Sequence, residues 1–375
     1  MSQRDDGQRD DDDGRFIDPR LGTLSAEGAG QGVGRRREGS PTDRRDRLAE
    51  AAGTPGGWRP QRPWREGDDS PTYYDRPLLK EPVWIWSIPA YFYAGGTAAA
   101  AAALAAAAQA ADRRGLAGLI RRARIAAGVF GGLGTVFLVI DLGRPERFLN
   151  MLRVFRPTSP MSVGSWIVAA ATSNTALAAL LAGVERGPLR RLGDAAGTSA
   201  AVFGLGLAAY PGVLLANTAV PVWLALARPL PPLFVASAVS GAASLLDFFD
   251  GTPREERVVH AFGLAGKTAV VAGMVAAERA ADRVERVGRP LAEGLSGALW
   301  RGAKAAAIGS LALSLVPTRG ARRPRALRLA AAVAGTAGAL ALRWAVVRAG
   351  HASVRDPRAA FAQQRDERPA GGDQP

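Results

Sequence analysis

Apolar residues in this chain fall in long blocks, not in alternation, and the blocks are separated by short, arginine-rich connections. From about Val83 to Val347 the blocks are built from Ala, Leu, Val and Gly. Stretches of about 20 such residues match the ~30 Å hydrocarbon thickness of a bilayer. A backbone in lipid must satisfy its own N–H and C=O groups, so each block is predicted to be a helix. Eight are legible, at roughly 84–111, 122–141, 162–183, 197–216, 231–249, 258–278, 295–316 and 326–348. The fold predicted is an all-α, polytopic membrane helical bundle of about eight transmembrane helices, occupying residues 81–349. Residues 1–80 are rich in Asp, Arg, Gly and Pro and hold too little apolar surface to offset the entropy of ordering. They are predicted to be a disordered polar tail, as is 350–375. No apolar signal-peptide core begins the chain, so the first span is expected to direct insertion.

An even number of spans places both termini on one side. That terminal face collects Trp84, Trp86, Tyr91, Tyr93, the connection 141–166, Tyr210-Pro211 and the loop Asn217–Trp223. The opposite loops, 112–121, 184–196, 250–257 and 317–325, are short and arginine-rich and contain no aromatic residue. Lys and Arg are more numerous in those opposite loops, although the flanks of the first and last spans offset the difference. By the positive-inside tendency the loops put the opposite face in the cytoplasm and the terminal face outside the cytoplasmic membrane. The net charge of +14 is nearly all arginine scattered through loops, which marks membrane flanks and not a nucleic-acid surface. Cysteine is absent, which excludes a thiolate-held iron-sulfur cluster or zinc site within this chain.

Small residues four apart, as at Gly128 and Gly132, suit close helix packing in lipid. In Asp141-Leu-Gly-Arg-Pro-Glu-Arg147, the carboxylate ends a helix whose C-terminus is already negative, so Arg144 and Arg147 are its expected partners. Gly143 and Pro145 stop the helix. A salt-bridged turn is one role for this motif, and a docking rim for a partner is the other. Thr158-Ser-Pro-Met-Ser162 offers hydroxyl N-caps with Pro160 in a first turn, and the free N–H groups there suit a carbonyl or an anion.

Ionisable groups inside spans cost about 2.5–3.5 kcal/mol at mid-bilayer on insertion scales, so they usually face a polar interior. Lys267 is central in its span, His260 is seven residues earlier on nearly the same face, and Asp247 is placed to pair with either. These three are proton-path candidates, with interfacial snorkelling as the plainer alternative for His260 and Asp247. Arg301, Lys304, Arg328 and Arg343 are read as snorkelling from span ends. Gly263-Leu-Ala-Gly-Lys-Thr268 only imitates a phosphate-binding loop, because Ala261 stands where the first glycine belongs and no strand precedes it. His260 and His351, the two histidines, are predicted on opposite faces and so cannot share a haem.

The stretch from Asp141 through Arg144, Glu146, Arg147, Met151, Arg156, Pro160 and Met161 to Ser162 resembles the signature of the polysulfide reductase/NrfD family of membrane subunits. Ile88-Pro-Ala-Tyr-Phe-Tyr-Ala-Gly-Gly96 and Thr218-Ala-Val-Pro-Val-Trp223 are similar to other parts of that family. The likeness is good over 73–250 and rests on hydropathy beyond. It implies an integral membrane subunit with no redox centre of its own, outside the catalytic core of an oxidoreductase. Its implied partners are a ferredoxin-like iron-sulfur subunit and a molybdopterin catalytic subunit, and its implied ligand is a quinone or quinol, menaquinone or ubiquinone, handled as in anaerobic respiration. Relatives use a histidine and an asparagine of the first helix near the quinone, and 84–111 contains neither. Tyr91 and Tyr93 are therefore candidate donors, with Ser159 and Trp166 beside them. Asp141, Gly143, Arg144, Pro145, Glu146, Arg147, Pro160 and Met161 are the docking or motif residues. A transporter or a purely structural anchor is the rival; paired broken-helix repeats, which mark many transporters, are missing.

Overall fold

A computed structural model describes residues 79–141, 150, 152–317 and 323–366, without the side chains of 160 and 363–366, and the backbone of 17–18 and 23–24. Residues Met1–Asp68 form a unit of their own, in which β1 (Ile17–Asp18) pairs antiparallel with β2 (Thr23–Leu24). The second unit, Asp69–Pro375, is helical in every described element.

One long helix stands at each predicted span. In chain order these and the short helices between them are α1 (Ser87–Asp112), α2 (Ala117–Asp141), α3 (Pro160–Leu180), α4 (Gly187–Ala216), α5 (Pro221–Ala225) and α6 (Leu230–Leu246). There follow α7 (Pro253–Ala281), α8 (Glu285–Ala292), α9 (Gly294–Leu315), α10 (Arg325–Val354) and α11 (Pro357–Asp366). Six of them, α1 to α4, α7 and α10, are long and apolar enough to cross a membrane. α6 is apolar but has 17 residues, and α9 carries Arg301 and Lys304 within an otherwise apolar run.

Helices overrun the hydropathy limits where polar residues cap or tether them. α7 begins at Pro253, five residues before its apolar block, because Thr252 and Glu255 form a reciprocal capping box and Pro253 fits the first turn. α4 begins at Gly187 without a side-chain cap, and its polar first turns bring Asp194 to 2.9 Å from Arg124 of α2. Hydropathy sees the lipid-facing part of a helix and misses such extensions.

α1 is the axis of the bundle. Of its most apolar window 78% is buried, against 28% in α2 and in α3. This explains its run of alanines: a helix walled by other helices gains more from close approach than from bulk. A Cβ on Gly204 of α4 would lie 3.2 Å from the Ala99 Cα, so the two backbones nearly touch. α1 packs against α2, α4, α6 and α10; α3 closes the first group against α2 and α4, and α7 and α9 complete a second with α6 and α10. At the terminal face α5 tucks Trp223 under the bundle end. Its indole Nε1 donates to the Val346 carbonyl of α10 at 2.8 Å, and the Val222 N–H donates to the Ser353 hydroxyl at 3.2 Å.

Candidate functional site at the terminal face

α1 has no side-chain cap of its own at Trp86. An anchor comes from the far end of α2, where Asp141 Oδ1 accepts the Ile85 N–H at 3.3 Å and the Ser87 hydroxyl at 3.1 Å. Ile85 precedes the N-cap residue Trp86, so the carboxylate anchors the approach to α1, and its charge lies favourably at the positive end of that helix. The partners expected for Asp141, Arg144 and Arg147, lie outside the described residues, as do Gly143, Pro145 and Glu146; the partners observed belong to the start of α1. Trp86 meets Phe137 edge-on at 5.8 Å and reinforces the junction.

The two candidate tyrosines diverge. Tyr91 is buried, its ring against Gly95 and against Gly134 of α2, with Tyr210 of α4 close by. Tyr210 in turn lies on Gly164 of α3, where any Cβ would overlap its ring. Tyr93 turns to the seam between the two helix groups: its ring is edge-on to Phe130 of α2 at 6.2 Å, and a Cβ on Gly241 of α6 would come within 3.4 Å of it. Ser159 caps α3, accepting the Ser162 N–H at 3.4 Å, and Pro160 opens that helix. Ser162 closes the preceding turn, donating to the Val154 carbonyl and accepting from the Arg156 N–H. Trp166 stands perpendicular to Phe155 at 6.2 Å. With Val154 and Met161 these two form an exposed apolar rim.

On the other flank of the α1 start is a cavity of about 720 Å³. Trp84 and Trp86, just before α1, and Pro89 of α1 wall one side, Trp344, Arg348 and His351 of α10 another, while α8 and the start of α9 close the remaining side. Glu81 ties the approach to α1 onto α10. Its Oε1 accepts from Arg355 at 2.7 Å and meets His351 Nδ1 at 3.2 Å. The Arg355 guanidinium, helped by His351, holds the Glu81 carboxyl below the usual carboxylate range. Sequence reading missed this cavity; its one legible trace was Trp344, Arg348, His351 and Arg355 at helical spacing.

The sequence profile of the polysulphide reductase NrfD family matches residues 77–355. The chain belongs to the NrfD family. No curated protein matches it. The NrfD match runs from just before Glu81 to Arg355 and so carries the likeness past residue 250 through α10. With the helices described above it makes the chain a multi-pass membrane protein of that family.

At the opposite end of the NrfD bundle the three proton-path candidates come together. Lys267 is buried and donates to the Ser314 hydroxyl at 2.8 Å. Arg323 donates to the Ser314 carbonyl at 2.6 Å and lies 3.4 Å from His260 Nε2. Asp247 feels the charges of Lys267, Arg328 and Arg323. Arg328 is buried and paired with Glu256 at 2.7 Å and with Asp250.

Two expected snorkelling arginines are thus buried, and Arg343 departs furthest from that expectation. It is 1% exposed, donates to the Phe234 carbonyl at 2.9 Å and stacks over the Phe234 ring at 3.8 Å. Among the described residues its Nε and Nη1 have no hydrogen-bond partner, nor does the buried Ser237 hydroxyl, whereas the Thr97 and Thr336 hydroxyls face that of Tyr93. Glycine makes the room: a Cβ on Gly96 would be 3.5 Å from Arg343 Nη2. Among the described residues no group of three His, Asp or Glu is placed to hold a metal.

Proposed function

We propose that this NrfD-family protein is the membrane anchor and quinone-binding subunit of an oxidoreductase complex. In this reading it passes electrons between the quinone pool and a ferredoxin-like iron-sulfur subunit, which a molybdopterin subunit completes. The observation that carries the proposal is the Asp141 anchor. It fixes the start of the family's signature connection to the start of α1, the helix that bears Tyr91 and Tyr93. The apolar rim of Val154, Phe155, Met161 and Trp166 supplies the exposed surface that a docked partner needs.

The residues at this end fit a quinone. Aromatic walls, hydroxyl donors and a position at the end of membrane-spanning helices suit a ring with two carbonyls and an apolar tail. A bound quinone supplies two-electron, two-proton chemistry. The chain's own part is to hold the ring, with Tyr91 and Tyr93 as candidate donors and Ser159 and Trp166 nearer the rim. The cluster of Asp247, His260 and Lys267 adds a proton path from the opposite end, supported by the Ser314 link between the Lys267 and Arg323 groups.

Affinity purification from the native membrane tests the reading. An iron-sulfur partner and co-extracted quinone are expected, and a stable solitary protein without quinone would count against it. Asp141→Ala is expected to weaken both partner assembly and quinone reduction; if both survive, the motif is neither dock nor pocket.

A further inference from the structure

The cavity beside α1 is built by residues that none of the assignments above uses. One face of α10 descends into it: Trp344, Val347, Arg348, His351 and Arg355 recur at the spacing of a helical stripe. Polarity is graded along that stripe. Trp344 and Val347, with Pro89 of α1, lie toward the middle of the helix, whereas His351, Arg355 and Asp356 lie at its end. Such a gradient suits an amphiphile with its head outward and its tail in the bilayer.

The charges select among amphiphiles. Arg286 pairs with Asp356 at 2.8 Å, Arg355 with Glu81 at 2.7 Å and Arg289 with Glu285 at 3.6 Å. Arg348 and Glu293 also line the cavity, and neither has an ion-pair partner among the described residues. The lining itself holds four arginines and two carboxylates, Glu293 and Asp356, and Glu81 and Glu285 reach in from beside it to pair with Arg355 and Arg289. With three of the four arginines paired, Arg348 is, among the described residues, the one lining arginine left for an anionic head, and a neutral head loses no ion pair by entering.

His351 adds chemistry. Its Nδ1 is engaged by Glu81 at 3.2 Å, which fixes the ring and leaves Nε2 without a hydrogen-bond partner among the described residues. A carboxylate that accepts from one ring nitrogen orients an imidazole and leaves the other nitrogen as the acceptor. Three tryptophans around it, Trp84, Trp86 and Trp344, supply flat apolar surface.

We infer that this cavity seats the head of a hydroquinone, with His351 Nε2 accepting a hydrogen bond from a ring hydroxyl and Glu81 holding the imidazole in place. The inference rests on the quinone reading above but assigns a place on the flank of α1 away from Tyr91.

The test uses the full chain in nanodiscs and a photoreactive azidoquinone, with peptide mapping of the label. Labelling within Trp84–Pro89 or between Trp344 and Arg355, suppressed by excess hydroquinone, is the expected result. Label confined to the segments around Tyr91 and Tyr93 or Ser159 to Trp166 overturns the cavity assignment and leaves the proposed function standing. No competed label anywhere overturns both. Retained phospholipid that hydroquinone does not displace from the cavity overturns the inference as well.

Tryptophan quenching by a hydroquinone analogue supplies a second readout. His351→Asn is expected to weaken binding about tenfold with an unchanged melting temperature. Glu81→Gln, which keeps the imidazole but frees it, is expected to weaken binding less and to alter its pH profile. Unchanged affinity and pH profile in both variants sink the role given to His351.

Discussion

At the scale of single residues, Asp141 shows what a side chain's neighbours in sequence leave out. Arg144 and Arg147, the nearest cations in the chain, lie outside the described residues, and the described partners of the carboxylate are Ile85 and Ser87, brought there by antiparallel packing of α1 and α2. Asp141→Ala is expected to cost about 1 kcal/mol, the usual net worth of a hydrogen bond, seen as a lower melting temperature in detergent. Asp141→Asn, which keeps an acceptor oxygen, is expected to recover most of that loss. Arg343 departs from the snorkelling expected of it. Its distance from the end of α10 suits snorkelling, but Gly96 and Phe234 lie against the guanidinium and it is buried. Because two of its nitrogens are unsatisfied, its burial is unfavourable. Arg343→Met, of similar length and without charge, is expected to leave the melting temperature unchanged or raise it. A fall of several degrees would show that the guanidinium has a stabilising partner. Lys267 was legible as an interior residue, because mid-span lysine leaves few alternatives.

At the scale of helices, spacing of small residues predicted contact and was half right. Gly128 does meet α3, with a virtual Cβ 3.3 Å from the Thr175 carbonyl, whereas Gly132 has nothing within 4 Å. Periodicity marks a face but does not say whether a helix or lipid covers it. Gly350 is the sharper case: any Cβ there overlaps the Trp223 indole that joins α5 to α10. Gly350→Ala is expected to destabilise by about 1–3 kcal/mol, the usual cost of overpacking. Gly132→Ala is expected to be neutral or to gain up to about 1 kcal/mol in helix propensity. A thermal-shift comparison of the two checks both, and equal effects would refute the packing assigned to Gly350. The Glu81 clasp between the α1 approach and α10 has a pH signature. Its folded carboxyl titrates below the ordinary value, so the clasp contributes above the unfolded pKa and is lost as pH falls through the folded one. Glu81→Gln is expected to flatten the acid limb of the melting-temperature profile.

At the scale of the molecule, the eight apolar blocks were legible because lipid imposes one rule on every span. The cavity was not, since its walls come from segments around residues 84, 290 and 350 that no local pattern connects. What the fold leaves to be decided is its direction in the membrane. The aromatic residues, the Asp141 anchor and the cavity share the end where α1 begins and α10 finishes. The arginine-rich connections between α1 and α2, α3 and α4, and α6 and α7 share the other. Positive loops tend to be retained in the cytoplasm, so the end proposed to bind quinone is expected outside. The absence of cysteine makes this directly testable, since a single introduced thiol is the only target for a maleimide. Arg186, between α3 and α4, and Arg228, between α5 and α6, are both exposed and lie at opposite ends. Arg228→Cys is expected to react with a membrane-impermeant maleimide in intact cells, and Arg186→Cys only after permeabilisation. The reverse pattern would put the iron-sulfur partner and the quinone end in the cytoplasm. Protons released at the cavity would then stay on the side where the arginine loops were expected, and the Lys267 cluster would open to the outside.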